Sequence, residues 1–305
     1  MKLSQDPPSA LLSVVIPVYK RCESVMFLLD DIFRQDYSNF EVIVVEDCGN
    51  DGTYEAIANR FPQVVLLQNS RNLGPAVSRN RGIIEAQGAI IVGFDSDVTI
   101  PDRHILSKIA STFVELPETS GVALHLLTPD GQSEDRPRWW HPVPIGDFAN
   151  KRFFTSYFSG TAYAFRRDVL VTAGLFPEIL YMYYEEVELA LRILDLMGSI
   201  VYCPNLVVLH HASIVARRND VRDFYTPRNQ ILLAAACFPI LQALFYLGLR
   251  LPYQFLKACG RRNPFSFLGG VFSAIRLVPT RLRERRPIRS ATIRQISSLR
   301  QGLLV

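Results

Sequence analysis

The chain has 305 residues, of which 49% are hydrophobic, so it can bury a full core as one large domain or as a domain with an appendage. Its five cysteines show neither metal-ligand spacing nor an even framework, which fits a reducing compartment. The net charge of +4 is unevenly spread: residues 250–305 carry twelve Lys and Arg and one acidic residue, whereas the preceding residues are net acidic.

The N-terminal region alternates predicted strands and helices. Apolar runs and the segments between them predict four strands, over residues 11–18, 40–45, 63–67 and 88–94, and three helices, over 23–35, 53–60 and 75–87. Near-continuous apolar strands separated by helices indicate a mostly parallel sheet with helices on both faces. Such sheets bind ligands beyond the carboxyl ends of their strands.

Acidic residues follow two of these strands at that edge. Glu46 and Asp47 end the second strand, and Asp95 and Asp97 end the fourth. Charged carboxylates are costly to bury without a partner, and two nearby Asp present the oxygen ligands that Mg²⁺ prefers. The alternative interpretation is a turn in which the Asp side chains cap backbone amides.

The region after residue 126 is less regular. Residues 127–150 are rich in turn formers and predict a long loop, which in a compact domain is often a functional lid. The elements predicted beyond this loop are three strands, over 158–166, 200–203 and 206–209, and two helices, over 167–173 and 185–197.

Four blocks occur in the order and with the spacing of a known family: Ser13–Tyr19, Val45–Thr53, Arg71–Gly82 with Asp95–Asp97, and Tyr184–Leu189. On these blocks the chain resembles inverting glycosyltransferases of GT-A family 2, close to the bacterial rhamnosyltransferase-like members. Two blocks depart from the usual pattern. Glu46-Asp47-Cys48-Gly49 stands where Asp-Asp-Gly-Ser is usual, and Glu185-Glu186-Val187-Glu188 stands where Glu-Asp-x-Asp is usual. Both departures keep carboxylates, so the resemblance still implies the chemistry.

The resemblance implies an α/β, Rossmann-like GT-A domain over residues 1–228, with a nucleotide-sugar-binding half at 11–97 and an acceptor-binding half at 98–228. An apolar and basic helical region follows at 229–305. The implied reaction moves one sugar from a UDP- or dTDP-sugar to a hydroxyl of a glycan or lipid-linked acceptor, with inversion. A polyprenyl-phosphate glycosyltransferase and a catalytically inactive GT-A membrane scaffold are the alternatives.

The resemblance also implies a donor site built from strand ends. Pro17 and Tyr19 line the base pocket, Asp47 accepts the ring N–H of uracil or thymine, and Asp95 touches the ribose. Arg79, on the helix before the fourth strand, borders the nucleotide, where its guanidinium suits bidentate contact with phosphate. A solvated helix face is the alternative for Arg79.

A divalent cation, Mg²⁺ or Mn²⁺, is the implied cofactor. Asp97 is its principal ligand, and Asp95 assists. His210 matches a position where relatives carry a His near the diphosphate or the metal, and a structural His is the alternative. The ion would act as the Lewis acid for departure of the diphosphate.

The implied general base is a carboxylate at the start of the predicted helix 185–197. Glu186 matches the family's base position, and Glu185 is the alternative. Because adjacent helix residues do not share a face, we expect only one of the two to point inward. Crowding of acids raises proton affinity, which helps a carboxylate act as a base near neutral pH.

Three further residues are assigned to the acceptor side. Glu188 either pairs with Arg192, four residues on, or holds the acceptor. Gly160 is expected in the acceptor-site strand, where a missing side chain allows close approach. Trp140 is expected to stack on a sugar or to pin the loop. The segment Arg136–Trp140 lacks the Gln of the Gln-x-x-Arg-Trp motif of processive synthases, so we expect one sugar to be added.

The C-terminal region predicts contact with a membrane. Ile231–Leu249 is a run of nineteen uncharged residues, just long enough to span a bilayer but interrupted by Pro239. Basic residues flank it on both sides: Arg217, Arg218, Arg222 and Arg228 before it, and Arg250, Lys257, Arg261 and Arg262 after it. This pattern favours in-plane attachment to an anionic surface, with both ends cytoplasmic. A span, a re-entrant hairpin or a packed helical appendage are the alternatives.

The expected location is therefore the cytoplasmic face of a bacterial inner membrane, reached by peripheral or monotopic attachment. Residues 1–10 are polar and contain no apolar signal core, so we expect the catalytic part to stay in the cytosol. Nucleic acid is not an expected partner, because its recognition favours charge and exposed aromatics without long apolar runs.

Overall fold

The first four strands have the predicted order and alternate with three helices. The structure, a computed structural model, describes residues 10–211 and 219–305, so Arg217, Arg218 and most of the polar N-terminal segment lie outside the described residues. The elements are β1 (Leu12–Val18), α1 (Cys22–Phe33), β2 (Phe40–Glu46), α2 (Thr53–Arg60), β3 (Val65–Gln68), α3 (Pro75–Glu85) and β4 (Ile90–Phe94). The strands pair in parallel in the order β3-β2-β1-β4, which confirms the predicted parallel arrangement.

The second part of the sheet is mixed. Its elements are β5 (Val98–Thr99), α4 (Ile105–Glu115), β6 (Gly121–Leu127), α5 (Ile145–Phe148), β7 (Phe153–Thr155), β8 (Ala162–Arg166), α6 (Arg167–Thr172), α7 (Glu185–Asp195) and β9 (Ile200–His210). The order continues β4-β8-β6-β9-β5, with β7 also paired to β9. Strand β8 runs antiparallel to both β4 and β6, whereas β6 and β9 are parallel. The carboxyl ends of β6 and β9 therefore lie together at one edge.

The structure differs from the prediction in three places. The two strands predicted at 200–203 and 206–209 form one strand, β9, because a register shift opposite Leu124 and His125 absorbs the break between them. The strand predicted at 158–166 begins only at Ala162. The predicted loop 127–150 contains a 3₁₀ turn at Arg136–Arg138 and the short helix α5.

The core forms two layers, one on each face of the sheet. Successive residues of a strand point to opposite faces, so Val14 and Ile16 join the layer under α1 and α4, whereas Val15 joins the layer under α3 and α7. Burial on both faces explains why the strands are apolar throughout and do not alternate with polar residues.

Four helices complete the chain: α8 (Asn219–Cys237), α9 (Ile240–Gly260), α10 (Pro264–Arg283) and α11 (Ser290–Leu299). The predicted boundary after residue 228 falls inside α8. The uncharged run 231–249 is divided between α8 and α9 at Pro239, whose ring cannot continue a helix from its N-terminal side. Within the described ranges, none of the helices is both long and apolar enough to cross a bilayer.

Candidate active site

Asp97 and His210 are brought together by the pairing of β5 with β9. Val98 lies opposite His210, and the His211 backbone N–H donates to the Asp97 carbonyl at 2.8 Å. This pairing places Asp97 Oδ1 3.7 Å from His210 Nε2. The other imidazole nitrogen, Nδ1, lies 2.6 Å from Asp135 Oδ2. A carboxylate, an imidazole and a second carboxylate thus form one chain of contacts.

Asp135 is a site residue that the sequence did not single out. It ends a hairpin that follows β6, and its backbone N–H donates to the Leu126 carbonyl at 3.0 Å. The hairpin folds it back onto the carboxyl end of β6, next to the end of β9. No local pattern in this turn-rich segment marks the residue, because its partner is 75 positions away along the chain.

The chemistry of Asp97 and His210 fits a divalent cation. The nitrogen of His210 that faces Asp97 is a potential ligand, and the Asp135 contact fixes the ring in the way a carboxylate fixes a metal-ligating His. Burial, followed by the charge of Asp95, raises the pKa of Asp97, and a cation would relieve this cost. No three His, Cys, Asp or Glu residues form a complete ligand group in the described part of the chain. Mg²⁺ commonly takes few protein ligands and completes its shell with water and phosphate oxygens.

Arg79 lies at the centre of a second cluster. Its Nη2 atom lies 2.7 Å from Asp95 Oδ1, and its Nη1 atom lies 3.3 Å from Glu185 Oε1. Arg79 is only 4% exposed, so the alternative of a solvated helix face is wrong. Burial acts to lower the pKa of Arg79, but the nearby charges, chiefly that of Asp95, outweigh it and raise the pKa. Contact of Arg79 with a phosphate stays a prediction, since both its amino groups face acids.

Gly160 connects this cluster to the predicted base. It lies in the turn before β8 and not in the strand where it was expected. Its carbonyl accepts from Arg79 Nη2 at 3.3 Å, and its N–H donates to Glu186 Oε1 at 3.3 Å. A Cβ atom at this position would lie 2.8 Å from each of those two side-chain atoms. The close approach expected of this glycine is therefore present, made by the arginine and the glutamate.

Glu185 and Glu186 both approach the Arg79–Gly160 contact. The expectation that only one of them points inward is wrong, because α7 begins directly after Tyr184, which has a left-handed φ of 71°. Arg79 contacts Glu185 and Gly160 contacts Glu186, so the two side chains reach the cluster from different faces of the helix. Glu185 is buried, and its Oε2 atom has no hydrogen-bond partner among the described residues. Burial, and then the charge of Glu186, raises the pKa of Glu185 to about 8.

Glu188 is not available to an acceptor. It is 2% exposed, with Oε1 3.2 Å from Arg192 Nη2 and Oε2 2.6 Å from Arg281 Nη2. The predicted pairing with Arg192 is present, whereas the acceptor assignment is wrong. Side chains two positions apart on an α-helix point about 200° apart around its axis. Glu188 therefore faces the interior when Glu186 faces the site.

Asp47 holds the loop that leads into α3. Its carboxylate accepts from the backbone N–H groups of Leu73 and Gly74, each at 2.8 Å, and from Asn69 Nδ2 at 2.6 Å. Three donors leave little capacity for a pyrimidine N–H, so the nucleobase contact stays a prediction. Tyr19, at the end of β1, is 42% exposed and available to a ligand.

A cavity of about 240 Å³ opens where β2 meets α2. Glu46 contributes to its wall but is itself buried, because its carboxylate accepts from the N–H groups of Cys48 and Gly49 at 3.1 and 2.5 Å. Glu46 therefore stabilises the loop after β2 and does not need a cation partner. Pro17 lies one strand away, opposite Val45 in the β1–β2 pairing.

The predicted lid presents Trp140 and Arg138. The Trp140 ring is 46% exposed and lies 5.8 Å from Tyr157 in a stacked arrangement and 5.4 Å from Tyr184. Arg138 Nε is buried without a hydrogen-bond partner in residues 10–211 and 219–305. Burial acts to lower the pKa of Arg138, but Tyr157 and the acids of the site raise it overall. The Arg-Trp pair in the sequence is a signal for Arg138, but the sequence does not show that this side chain lies near the acids of the site.

The C-terminal helices support the start of α7. Asn229 Nδ2, on α8, donates to the carbonyls of Leu180, Met182 and Tyr183 at 2.9, 2.7 and 2.8 Å. These residues precede the two site glutamates, and the α10 residue Arg281 pairs with Glu188 as described. The helical region is therefore part of the structure that positions the candidate base.

Comparison with known proteins identifies the family and the fold. The family model described as Glycosyl transferase family 2 matches residues 13–172. The provisionally named colanic acid biosynthesis glycosyl transferase WcaA of Escherichia coli strain K12 is 34% identical over 92 residues, which is 28% of this chain and 32% of WcaA. The match thus spans about a third of that relative's length.

Two solved structures cover nearly the whole chain. The mannosyltransferase PcManGT from Pyrobaculum calidifontis, in complex with GDP-Man and Mn²⁺, has a TM-score of 0.61 and 21% identity over 97% of this chain and 86% of its own. Residues 1–349 of S. aureus TarS, in complex with UDP-GlcNAc, have a TM-score of 0.60 and 19% identity over 95% of this chain and 85% of theirs. At such identities they show the fold alone, and the GT-A fold is confirmed.

Proposed function

The chain belongs to glycosyltransferase family 2, and from this premise we propose that it moves one sugar from a UDP- or dTDP-sugar to a hydroxyl of a glycan or lipid-linked acceptor, with inversion. The observation that carries the proposal is the convergence of Asp97, His210 and Glu186 around one edge of the sheet, with Arg79 and Gly160 between them. Two similar proteins add support, since WcaA is named for colanic acid biosynthesis and TarS forms a complex with UDP-GlcNAc.

Asp97 and His210 would hold the divalent cation, Mg²⁺ or Mn²⁺. When bound, such an ion supplies Lewis-acid neutralisation of the departing diphosphate. Arg138 adds a positive charge from the loop side, and its Nε, which has no partner among the described residues, can donate to a phosphate oxygen. Asp135 keeps the His210 ring oriented, and Arg79 keeps Asp95 in place.

Glu186 would take the proton of the acceptor hydroxyl. Its Oε1 is oriented by the Gly160 N–H, which leaves Oε2 to face the acceptor. Buried Glu185 lies beside it, and a protonated Glu185 avoids a second negative charge at the site. Trp140, stacked on Tyr157, provides an aromatic surface for a sugar ring.

An acceptor hydroxyl fits this site better than polyprenyl phosphate does. A phosphate acceptor is already anionic at neutral pH and would be repelled by the Glu186 carboxylate, whereas the charge of Asp95 is paired with Arg79. A hydroxyl needs a base, which a carboxylate within hydrogen-bonding reach supplies. An inactive scaffold is the remaining alternative, and an activity measurement decides between the two.

The test is release of nucleoside diphosphate from a panel of UDP-, dTDP- and GDP-sugars with Mn²⁺, for the full chain and for Asp97→Asn. We expect Asp97→Asn to lower the rate at least about 100-fold, because it removes a charged ligand next to the leaving group. The control is Glu118→Gln, an exposed residue near the opposite ends of the strands. Native-level turnover by Asp97→Asn, or turnover by the native chain that persists when the metal is chelated, would overturn the proposal. So would the absence of both turnover and nucleotide binding with every donor.

A further inference from the structure

Helix α10 has two apolar sides. One side packs on α8 so closely that a side chain at Gly270 would collide with the Phe224 carbonyl. The opposite side carries a stripe at helical spacing whose members are half-exposed or more: Phe265, Leu268, Phe272, Ile275 and Leu282, at 84%, 51%, 56%, 60% and 50%. The apolar area of this stripe is larger than that of the single hydrophobic residues scattered over an ordinary soluble domain.

Helix α9 extends this apolar surface. Ile240, Leu241, Leu244, Phe245, Leu249 and Leu256 are each more than half exposed. The ring of Phe255, on α9, lies 5.3 Å from that of Phe267, on α10, so the two helices are in direct contact. The α9–α10 face, defined by the exposed apolar residues named in these two paragraphs, is thus built from adjacent helices.

Exposed cations lie beside the aromatic rings of these helices. The Arg276 guanidinium is 4.2 Å from the centre of the Phe272 ring, and the Lys257 ammonium is 4.6 Å from that of Tyr253. Residues 250–305 contain twelve Lys and Arg and a single acid, Glu284. A hydrophobic face bordered by cations is complementary to anionic lipid, whose headgroups lie just above the acyl chains.

A second copy of the chain fits this face poorly. Pairing two α9–α10 faces would bring two strongly basic segments together and add repulsion to the association. A bilayer offers instead an apolar layer for the exposed stripe and negative charge for its border.

We propose that the α9–α10 face lies in the plane of an anionic membrane surface, with its apolar side chains inserted and its cations at the headgroups. This inference does not depend on the proposed transfer reaction. Because α8 and α10 also hold the segment before α7 and the buried Glu188, attachment would fix the candidate site relative to the lipid. The site would then meet acceptors at the cytoplasmic surface, where the sequence analysis expects the protein.

The test is flotation of the full chain with vesicles of phosphatidylcholine alone or with about one third phosphatidylglycerol. We expect binding to the anionic vesicles, weakened by high salt. The double variant Phe265→Ser, Phe272→Ser should lower binding at least about tenfold, because it removes two inserted rings. The matched control is Ile84→Ser with Val171→Ser, two exposed apolar residues of the catalytic domain. Circular dichroism would verify that each variant is folded.

Equal binding by the Phe265→Ser, Phe272→Ser variant and the control would overturn the proposal, as would no binding of the native chain to anionic vesicles. Sedimentation velocity without lipid tests whether a second copy of the chain covers this face. A dimer that the Phe265→Ser, Phe272→Ser variant dissociates would assign the face to self-association and not to lipid.

Discussion

At the scale of single residues, the two glutamates at the start of α7 differ in environment although they are neighbours. Glu185 is buried against Arg79, whereas Glu186 is half-buried and accepts only from the Gly160 N–H in the contacts described above. The difference follows from position: Glu185 reaches the cluster through Arg79 from the buried side, and Glu186 reaches it through Gly160 from the side near Arg138. Environment therefore separates two side chains that the sequence leaves chemically equivalent.

Glu186→Gln tests the proposed base. The amide keeps the size of the side chain and can still accept from Gly160, but it cannot take a proton. We expect transfer to fall about 100-fold or more, the usual contribution of general base catalysis, while UDP binding with Mn²⁺ measured by calorimetry stays within about twofold. A rate unchanged from that of the native chain would move the base to Glu185.

Glu185→Gln tests the raised pKa of Glu185, which is about 8 in the fold. Because the folded chain holds this proton more tightly than the unfolded chain does, its contribution to the unfolding free energy is full below pH 4.5 and is lost as pH rises towards 8. The loss is at most about 1.4 kcal/mol per pH unit. We expect urea unfolding between pH 5 and 8 to show a shallower decline for Glu185→Gln than for the native chain. An equal decline in the two proteins would contradict the burial argument, and Glu118→Gln should keep the native slope.

At the scale of elements, strands from distant parts of the chain assemble the site. Asp95 and Asp97 follow the carboxyl end of β4. Strand β9 pairs antiparallel with β5, and this pairing places His210 next to Asp97. Asn229, on α8, donates to the segment before α7, and Arg281, on α10, pairs with Glu188 of α7. The position of the candidate base is therefore set by helices that lie outside the residues matched by the family model.

Arg281→Met tests this support. Removal of the guanidinium leaves buried Glu188 with Arg192 as its one ionic partner in the described part of the chain. Breaking a buried pair from one side is strongly destabilising. We expect the free energy of unfolding to fall by about 3 kcal/mol, measured by urea denaturation. Arg283→Met, an exposed arginine on the same helix, should change it by less than about 0.5 kcal/mol. Similar losses in both variants would show that the Glu188 pair contributes no special stability.

At the scale of the whole molecule, the catalytic domain and the C-terminal region are joined by hydrogen bonds. Asp195, at the end of α7, accepts from Thr292 Oγ1 and from the Arg289 backbone N–H on the α11 side. The chain end also pairs with the sheet, since Phe154 N–H donates to the Leu303 carbonyl at 2.9 Å. The helices therefore complete the fold and are not a detachable anchor.

Truncation after residue 228 tests this unity. The shortened chain loses the Asn229 amide and the Arg281 guanidinium, so carbonyls before α7 and the Glu188 Oε2 atom lose bonds that they have in the full chain. It also exposes Leu180 and Leu191, which pack on the removed helices. We expect it to lose cooperative thermal unfolding in near-ultraviolet circular dichroism. A truncated chain that melts cooperatively near the temperature of the full chain would restore an independent domain over residues 1–228.

Local sequence determined the parallel half of the fold and the location of the acids. Apolar runs are readable because a doubly covered strand must be apolar at every position, and parallel strands bring their carboxyl ends to one edge whatever the rest of the chain does. For this reason Asp95 and Asp97 could be identified before any contact was known, whereas the α7 glutamates were identified through the resemblance to the family. The break at Pro204 misled the prediction of β9, since a register shift can absorb a local strand breaker.

Tertiary structure alone decided which of these residues meet. The Asp97–His210–Asp135 chain of contacts depends on the antiparallel pairing of β5 with β9 and on the hairpin after β6. The approach of both Glu185 and Glu186 to the Arg79–Gly160 contact depends on the turn at Tyr184 that begins α7. The outward face of α9 and α10 was likewise decided by packing, because an apolar helix can bury either side until a neighbour occupies one. Contacts between residues far apart in the chain carry no local pattern, so only the folded arrangement contains them.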